Sequence, residues 1–557
     1  MNKIQQIFKR HRLFLIILAL TWGVFFSFLF IKMIEFEPTG LYVGHQNVWS
    51  DWALHTGIAN TFAFKDPSLW FAYHPLYAGG QFTYPFLTDA VSGMLMRAGV
   101  SLPLSFIIPS IVFCLILLVA MYFLFYLLTR SKRQAYVAIC IYFMSAGLGF
   151  ISYFSDVLSD PSWARLLYPM KDYSSAGQFD WYAGNVIVGL VLPQRSFLIG
   201  ITIGMCALLG LVYVMRRHSL PLKTRRILLL TSGVLAGILP IAHAHSFIAV
   251  LVIAGLICFW HWRRWRELLW YFIPAAIISS ILYLTFIHGG IENESFFRFY
   301  PGWAMKKGSG LWGWAGMWGL IWGLSLPIAL ISLSMLWKRF DRSGRIFFLA
   351  CLFIFAIGNL WLFQPVRWDN TKLFWWAYFG FAVLAAALLG WLWRRRWFGL
   401  GKFLSIVFFI SLTLTGGVEI LRLAQIDKHR HMITNTDDIQ LGLQIRAETD
   451  PLAIFLTSPS HNHFIMMWAA RSIYMGYTAW VWNFGFNHVQ RERDLPLMYQ
   501  GGVRAESLLR EYNISYVVIG PGELGDQRAN EEYFRLKFPL AFSDQNYRIY
   551  DIRSLLH

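Results

Sequence analysis

The feature that most constrains this chain is a succession of long apolar runs separated by short basic connectors. Runs long enough to cross about 30 Å of hydrocarbon lie roughly at 13–33, 103–129, 134–154, 184–214, 226–241, 244–262, 268–288, 311–337, 346–363, 373–393 and 403–422. No water in a bilayer core can satisfy a backbone N–H or C=O, so such runs are expected as helices. With 57% hydrophobic and only 14% charged residues, the chain falls outside the soluble globular class, where about a quarter of residues are charged. Aromatic residues reach 18%, and their rings suit a membrane interface.

The formal charge of +18 first suggests a nucleic-acid partner, and its placement removes that reading. Connectors between alternate runs hold Lys3, Lys9, Arg10 and Arg12, then Arg130, Lys132 and Arg133, then Arg216, Arg217, Lys223, Arg225 and Arg226. They continue with Arg263, Arg264 and Arg266, with Lys338, Arg339, Arg342 and Arg345, and with Arg394, Arg395, Arg396 and Lys402. These 23 basic residues stand against two acids, Glu267 and Asp341. The connectors carry +21 and the rest of the chain about −3. By the positive-inside rule they share the cytoplasmic side. Charge here records topology.

With the N-terminus inside, eleven spans place every basic connector inside and the last 130 or so residues outside. The pair 226–241 and 244–262 is short, which leaves a re-entrant element open there. The first run has a charged leading segment like a signal peptide, but no small-residue cleavage site follows LFLIILALTWGVFFSFLFIKM. It reads as an uncleaved anchor. All five cysteines fall within runs, so neither a disulfide framework nor a thiolate metal site is indicated. The expected fold is a polytopic α-helical membrane domain over 1–425, of about eleven transmembrane helices, with a small extracytoplasmic α/β domain over 430–557. In the tail, AIFLTS, RSIYMGY, ISYVVIG and NYRIYDI have strand composition, while AESLLREY and NEEYFRLKF read as helices. The first outside loop, 34–102, is long, and loops of that length are usually functional.

Away from the connectors, the ionisable residues converge on the outer side: Asp51, His55, Asp89, Arg195, His243, His245, Glu292, Glu294, Arg298, Arg367, Asp369 and Lys372. Charges at a membrane edge are costly and tend to line sites. Each also has a structural alternative. Asp51 or Ser50 could cap a helix; His243 and His245 could bond carbonyls at their turn, and their H-x-H spacing lacks a third metal ligand. Arg195 lies about a dozen residues into its run and needs a phosphate or a carboxylate partner. Arg367, Asp369, Asn370 and Lys372 could form an internal salt bridge, and the acids of the second outside loop read as a solvated face.

Several stretches together carry a resemblance: SDWALHTGIA, HPLYAGGQFTYPFLTDAVSGML, LPQRSF, LPIAHAHSF, RWDNTKLFWW, and in the tail ARSIYMGYTAWVWNFGF and ISYVVIGPGE. With a first anchor span, a long first outside loop opening on an aspartate and an extracytoplasmic tail, the chain resembles the GT-C superfamily of integral-membrane glycosyltransferases. It is most similar to prokaryotic members, and more distantly to protein O-mannosyltransferases and the aminoarabinose transferase of lipid A. The resemblance implies a GT-C-like fold in a prokaryotic cytoplasmic membrane. It also implies inverting transfer of a sugar from a polyprenyl-phosphate donor to a protein, lipid or glycan acceptor. The family's loop aspartate falls on Asp51, the implied base. Family members often carry adjacent acids, whereas Trp52 follows Asp51, so a second acid would be Asp89 or Asp66. Arg195, His243, His245, Arg367 and Lys372 are the implied phosphate-binding cations, with His55, Asp369 and Asn370 as further candidates. No cofactor is called for; a divalent metal would need acids such as Asp156 or Asp172, and no D-x-D occurs there. The competing readings are a polymerase or ligase for lipid-linked polysaccharide, and a transporter or flippase. The long first loop argues against the former, and the one-sided clustering of polar residues against the latter.

Overall fold

The computed structural model describes residues 3–182, 184–217, 219–289, 297–395, 397–428 and 430–556. Among the described residues, eight helices are long and apolar enough to cross a membrane: Lys9–Lys32, Leu102–Thr129, Arg195–Arg216, Leu222–Ala242, Trp262–Phe286, Arg342–Leu360, Arg367–Trp393 and Leu400–Leu423. A ninth is reached if Gly310–Trp322 and Ser325–Arg339, bent by 97°, count as one broken span. The chain is therefore an integral membrane protein, mostly helical, with a sheet-containing C-terminal region.

Four of the eleven expected runs are not single long straight helices among the described residues; one of them, 184–214, is interrupted before Arg195. Residues 244–262 give the 17-residue helix Ala244–Trp260. The run 134–154 stops early, as the 13-residue helix Lys132–Met144, and resumes at Phe150. The run 311–337 is the bent pair. The latter two breaks have one cause. Gly147 (φ +69°) turns so tightly that a Cβ there would lie 2.1 Å from the Leu320 carbonyl oxygen, and Gly323 (φ +57°) turns beside Leu148. The Leu148 amide donates to that same Leu320 oxygen. Positive φ at both turns suits glycine, and each break satisfies polar groups exposed by the other.

The chain divides into two compact units. The first comprises Met1–Lys32, Ser110–Tyr283 and Arg298–Lys428. At its centre runs Thr371–Trp393, buried along nearly its whole length. Around the start of that helix gathers a nest of rings: Trp181, Trp303, Trp318, Trp322, Phe374 and Trp375. Such pairs contribute about 0.5–1.5 kcal/mol each beyond their buried area. The buried Asn359 side-chain oxygen accepts from the indoles of Trp314 (2.8 Å) and Trp318 (3.0 Å).

The second unit comprises Met33–Pro109, Leu284–Phe297 and His429–His557. The segment 34–102 and the tail thus fold together. Strands Ile34–Glu37 and Gly40–Val43 form a hairpin, and His431–Asn435 from the tail adds antiparallel to its second strand. Gly40 (φ +154°) lies so close that a Cβ would sit 2.2 Å from the Thr434 carbonyl oxygen. A five-stranded mixed sheet follows in the tail, with Ile454–Leu456 parallel to Ser472–Ile473 and to Tyr516–Ile519. Arg548–Asp551 runs antiparallel between Tyr516–Ile519 and the edge strand Leu540–Ser543. Four of these strands and the helices Val503–Glu511 and Glu531–Lys537 lie in the segments whose composition indicated them.

Candidate functional site

In the second unit, the helix Gln46–Phe64 carries both Asp51 and His55. It begins on an unexpected cap: the His45 Nδ1 accepts from the Asn47 amide at 3.1 Å. Asp51 is therefore in the second turn, and neither it nor Ser50 caps this helix; the Ser50 hydroxyl instead donates to the Asn47 carbonyl. Asp51 is partly exposed. Four residues on, and hence on the same face, His55 is buried with its Nδ1 2.7 Å from an oxygen of Asp89. Asp89 stands in the first turn of the neighbouring helix Leu87–Arg97 and is wholly buried. The contact is made close by Gly93, where a Cβ would fall 2.5 Å from the Cβ of Phe62. The two acids of the sequence reading thus differ in kind. Asp51 is partly exposed, while Asp89 is enclosed and engaged by His55. Asp66 does a local task, accepting from the Ser68 amide and hydroxyl as the cap of a short turn.

The tail surrounds this helix. Gly57 admits Met466, whose backbone oxygen would be 3.0 Å from a Cβ, and the Asn60 amide nitrogen donates to the Met467 carbonyl. Loop 74–80 pairs with the tail through Ile473 N–H to Pro75 O (3.1 Å), Ala78 N–H to Ile473 O (3.0 Å) and Gly476 N–H to Leu76 O (2.8 Å). Tyr84, 6.1 Å from the ring of His55, meets Phe484 edge-on, and Tyr77 stacks on Phe486 at 4.6 Å. The stretch TAWVWNFGF, prominent in the sequence, thus belongs to the surroundings of Asp51 and His55.

In the first unit, the expected cations gather at helix ends. Arg195 is the first residue of Arg195–Arg216, after a turn through Pro193 that interrupts the run 184–214. Its guanidinium is buried beside a helix N-terminus, where anions are favoured. One turn along, Gly200 lets this helix press on His243, since a Cβ there would lie 2.3 Å from the His243 Cβ. His243 caps the helix Ala244–Trp260: its Nδ1 accepts from the Ser246 amide at 3.1 Å and lies 2.8 Å from the Ser246 hydroxyl, whose oxygen accepts from the Trp376 indole. With Nδ1 accepting, the neutral ring carries its proton on Nε2. That buried Nε2, like the Nε2 of His245 5.6 Å away between ring centroids, has no hydrogen-bond partner among the described residues. Lys372 lies within electrostatic range of both imidazoles, and Asp369 of His245.

The RWDNTK turn divides its labour. Lys372 pairs with the buried Asp369 within the turn. Arg367 pairs at 2.5 Å with Asp180, so one acid of the segment 155–183, expected as a solvated face, is structural. Asn370 is fully occupied by backbone, donating to the carbonyls of Gly358 (2.9 Å) and Trp361 (2.7 Å) and accepting from the Phe363 amide (3.2 Å). The Trp303 indole holds the Arg367 carbonyl at 2.8 Å. Glu292 and Glu294 lie outside the described residues. Asp156 pairs with Lys171 at 2.8 Å, and Asp172 accepts from Ser174; among the described residues no group of three or more His, Cys, Asp or Glu is placed to hold a metal.

No family model matches the chain, and no curated protein matches it. Among solved structures it is similar to ArnT from Cupriavidus metallidurans bound to undecaprenyl phosphate, at 10% identity and a TM-score of 0.48 over 99% of each chain. It is also similar to an Archaeoglobus fulgidus oligosaccharyltransferase. The form tethered to an acceptor peptide gives 14% identity and a TM-score of 0.44 over 93% of this chain and 70% of that one. The apo form gives 14% and 0.43 over 91% and 70%.

Proposed function

We propose that this protein is a GT-C-type membrane glycosyltransferase that moves a sugar from a polyprenyl-phosphate donor to an extracytoplasmic acceptor with inversion. Asp51 is the general base. The observation that carries this reading is the partly exposed Asp51 one helical turn from the enclosed His55–Asp89 pair. An acceptor hydroxyl must shed a proton as it attacks the anomeric carbon, and a positioned carboxylate takes it. Of the two acids, Asp51 is partly exposed and Asp89 is buried. Asp89 acts as a positioning residue, locking His55 and with it the helix that presents Asp51.

The leaving group is a lipid phosphate whose charge grows as the glycosidic C–O bond breaks, and fixed donors stabilise it. The buried His243 Nε2–H without an acceptor, the neighbouring His245, Lys372 and Arg195 supply such donors. Arg367 and Asn370 shape this group through Asp180 and the backbone rather than by touching phosphate. Asp369 tempers the Lys372 charge.

The test is turnover of labelled polyprenyl-phosphate hexoses by the purified chain in lipid with crude membrane acceptors, reading the anomeric configuration of the product. Transfer with inversion is expected. Retained configuration, or absence of donor binding, overturns the proposal and turns attention to transport.

A further inference from the structure

On the side of the first unit that carries the basic connectors, a cavity of about 440 Å³ opens among the helices Lys3–Leu18, Leu102–Thr129, Arg195–Arg216 and Leu222–Ala242. That size is typical of small-molecule sites. Its lining changes with depth. Arg10 and Arg217 stand at the basic end, and Tyr126 and Tyr213 follow about one helical turn further in. Leu209, Leu228 and Leu235 line the deeper part, Leu235 some 10 Å beyond Leu228 at 1.5 Å per residue. The walls are held by specific contacts. His11 Nδ1 bonds the Tyr122 hydroxyl at 2.8 Å and its ring meets Tyr126 edge-on at 4.5 Å. Gly210 permits the approach of Ser232, whose hydroxyl oxygen would be 2.2 Å from a Cβ.

Charge on this face is unbalanced in a particular place. Its two acids are both occupied. Asp341 pairs with Arg216 at 2.5 Å and Arg130 at 3.7 Å, and Glu267 with Arg264 at 2.7 Å and Arg225 at 3.3 Å. Arg10, Arg217 and Lys132, whose ammonium donates to the Arg10 carbonyl, have no acidic partner among the described residues. Cations at the mouth, hydroxylated rings at interface depth and aliphatic walls below match a lipid with an anionic head. A free anion would have no use for the apolar depth.

We propose that this cavity is a binding site for one anionic phospholipid, its phosphate held by Arg10 and Arg217 and an acyl chain lying along Leu209, Leu228 and Leu235. Its lining shares no residue with the Asp51 or His243 groups, and it does not depend on the glycosyltransferase reading.

The test is native mass spectrometry of the full chain released from bilayers of equal phosphatidylglycerol and phosphatidylcholine. One phosphatidylglycerol per chain should be retained selectively, and millimolar inorganic phosphate should not displace it. The double variant Arg10→Gln/Arg217→Gln should lose retention by about tenfold or more, while Lys338→Gln/Arg339→Gln, on another connector, keeps it. Leu228→Trp, which fills the cavity and leaves both arginines, should lose it as well. Equal retention of phosphatidylcholine, retention in either cavity variant, displacement by phosphate, or preference for a polyprenyl phosphate would each overturn the proposal. Elution as a single species confirms that every variant is folded.

Discussion

Lys65 closes the helix that presents Asp51, and its side chain is buried, at 6% exposure. Burial, with the Arg471 guanidinium adding and Asp450 opposing, holds its ammonium down from 10.5 to about 8. Arg471 cannot swing away, because it is committed to the carbonyls of Ala469, Arg446 and Thr449. At about 1.36 kcal/mol per pH unit, this depression corresponds to a folding penalty of about 3 kcal/mol. The sign follows from proton counts. Below about pH 8 both states bind the proton and the whole penalty is present. Between about 8 and 10.5 the unfolded chain holds more protons than the folded one, so stability rises with pH. Lys65→Met, of similar length and uncharged, removes the penalty. The variant should therefore be more stable than the native chain at pH 7, by about 1–3 kcal/mol, and the advantage should shrink through pH 8–10. Denaturant titrations in detergent followed by tryptophan fluorescence, with native and variant chains at each pH, read this difference. A variant less stable at every pH, or a difference independent of pH, refutes the reasoning.

Three further perturbations follow. His55→Ala leaves the Asp89 carboxylate buried without its imidazole and should cost about 3 kcal/mol, read in the same titration, whereas Asp89→Asn, which keeps a hydrogen-bonding group there, should cost less. Gly40→Ala forces a Cβ onto the Thr434 carbonyl; it should cost about 1–3 kcal/mol and raise amide exchange in His431–Asn435, and unchanged exchange would contradict the stated close approach. Asn370→Ala strips three backbone partners and should cost about 2–3 kcal/mol while lowering affinity for a polyprenyl-phosphate donor only indirectly; lost donor binding at full stability would instead place Asn370 on the ligand.

What the sequence made legible is what apolar length and charge sign encode. The connectors, eight of the eleven runs as helices of membrane-crossing length and four strands of the tail could be read because lipid and β-branched patterning leave periodic traces. The two tight glycine turns at Gly147 and Gly323 left none, since a positive φ and a neighbour 2.1 Å from an absent Cβ are invisible in a run of hydrophobic letters. Arg195 looked internal to a run and proved to start a helix; Pro193 two residues before it was the available sign. The pairing of His55 with Asp89 spans 34 residues and has no local signature. Nor does the use of His45 as a cap, because histidine is not among the usual capping residues. The joining of the segment 34–102 to the tail was hidden for the same reason: strand pairing between Gly40–Val43 and His431–Asn435 is a long-range event.

The most direct measurement is the single-turnover rate of sugar transfer from a bound polyprenyl-phosphate donor, compared among the native chain, Asp51→Asn and Asp89→Asn. Loss of a general base is expected to slow Asp51→Asn by about 10²–10⁴-fold, with donor affinity kept. Asp89→Asn should retain most of its turnover once folded. Native turnover in Asp51→Asn, or its loss in Asp89→Asn alone, would contradict the assignment of Asp51 as the base.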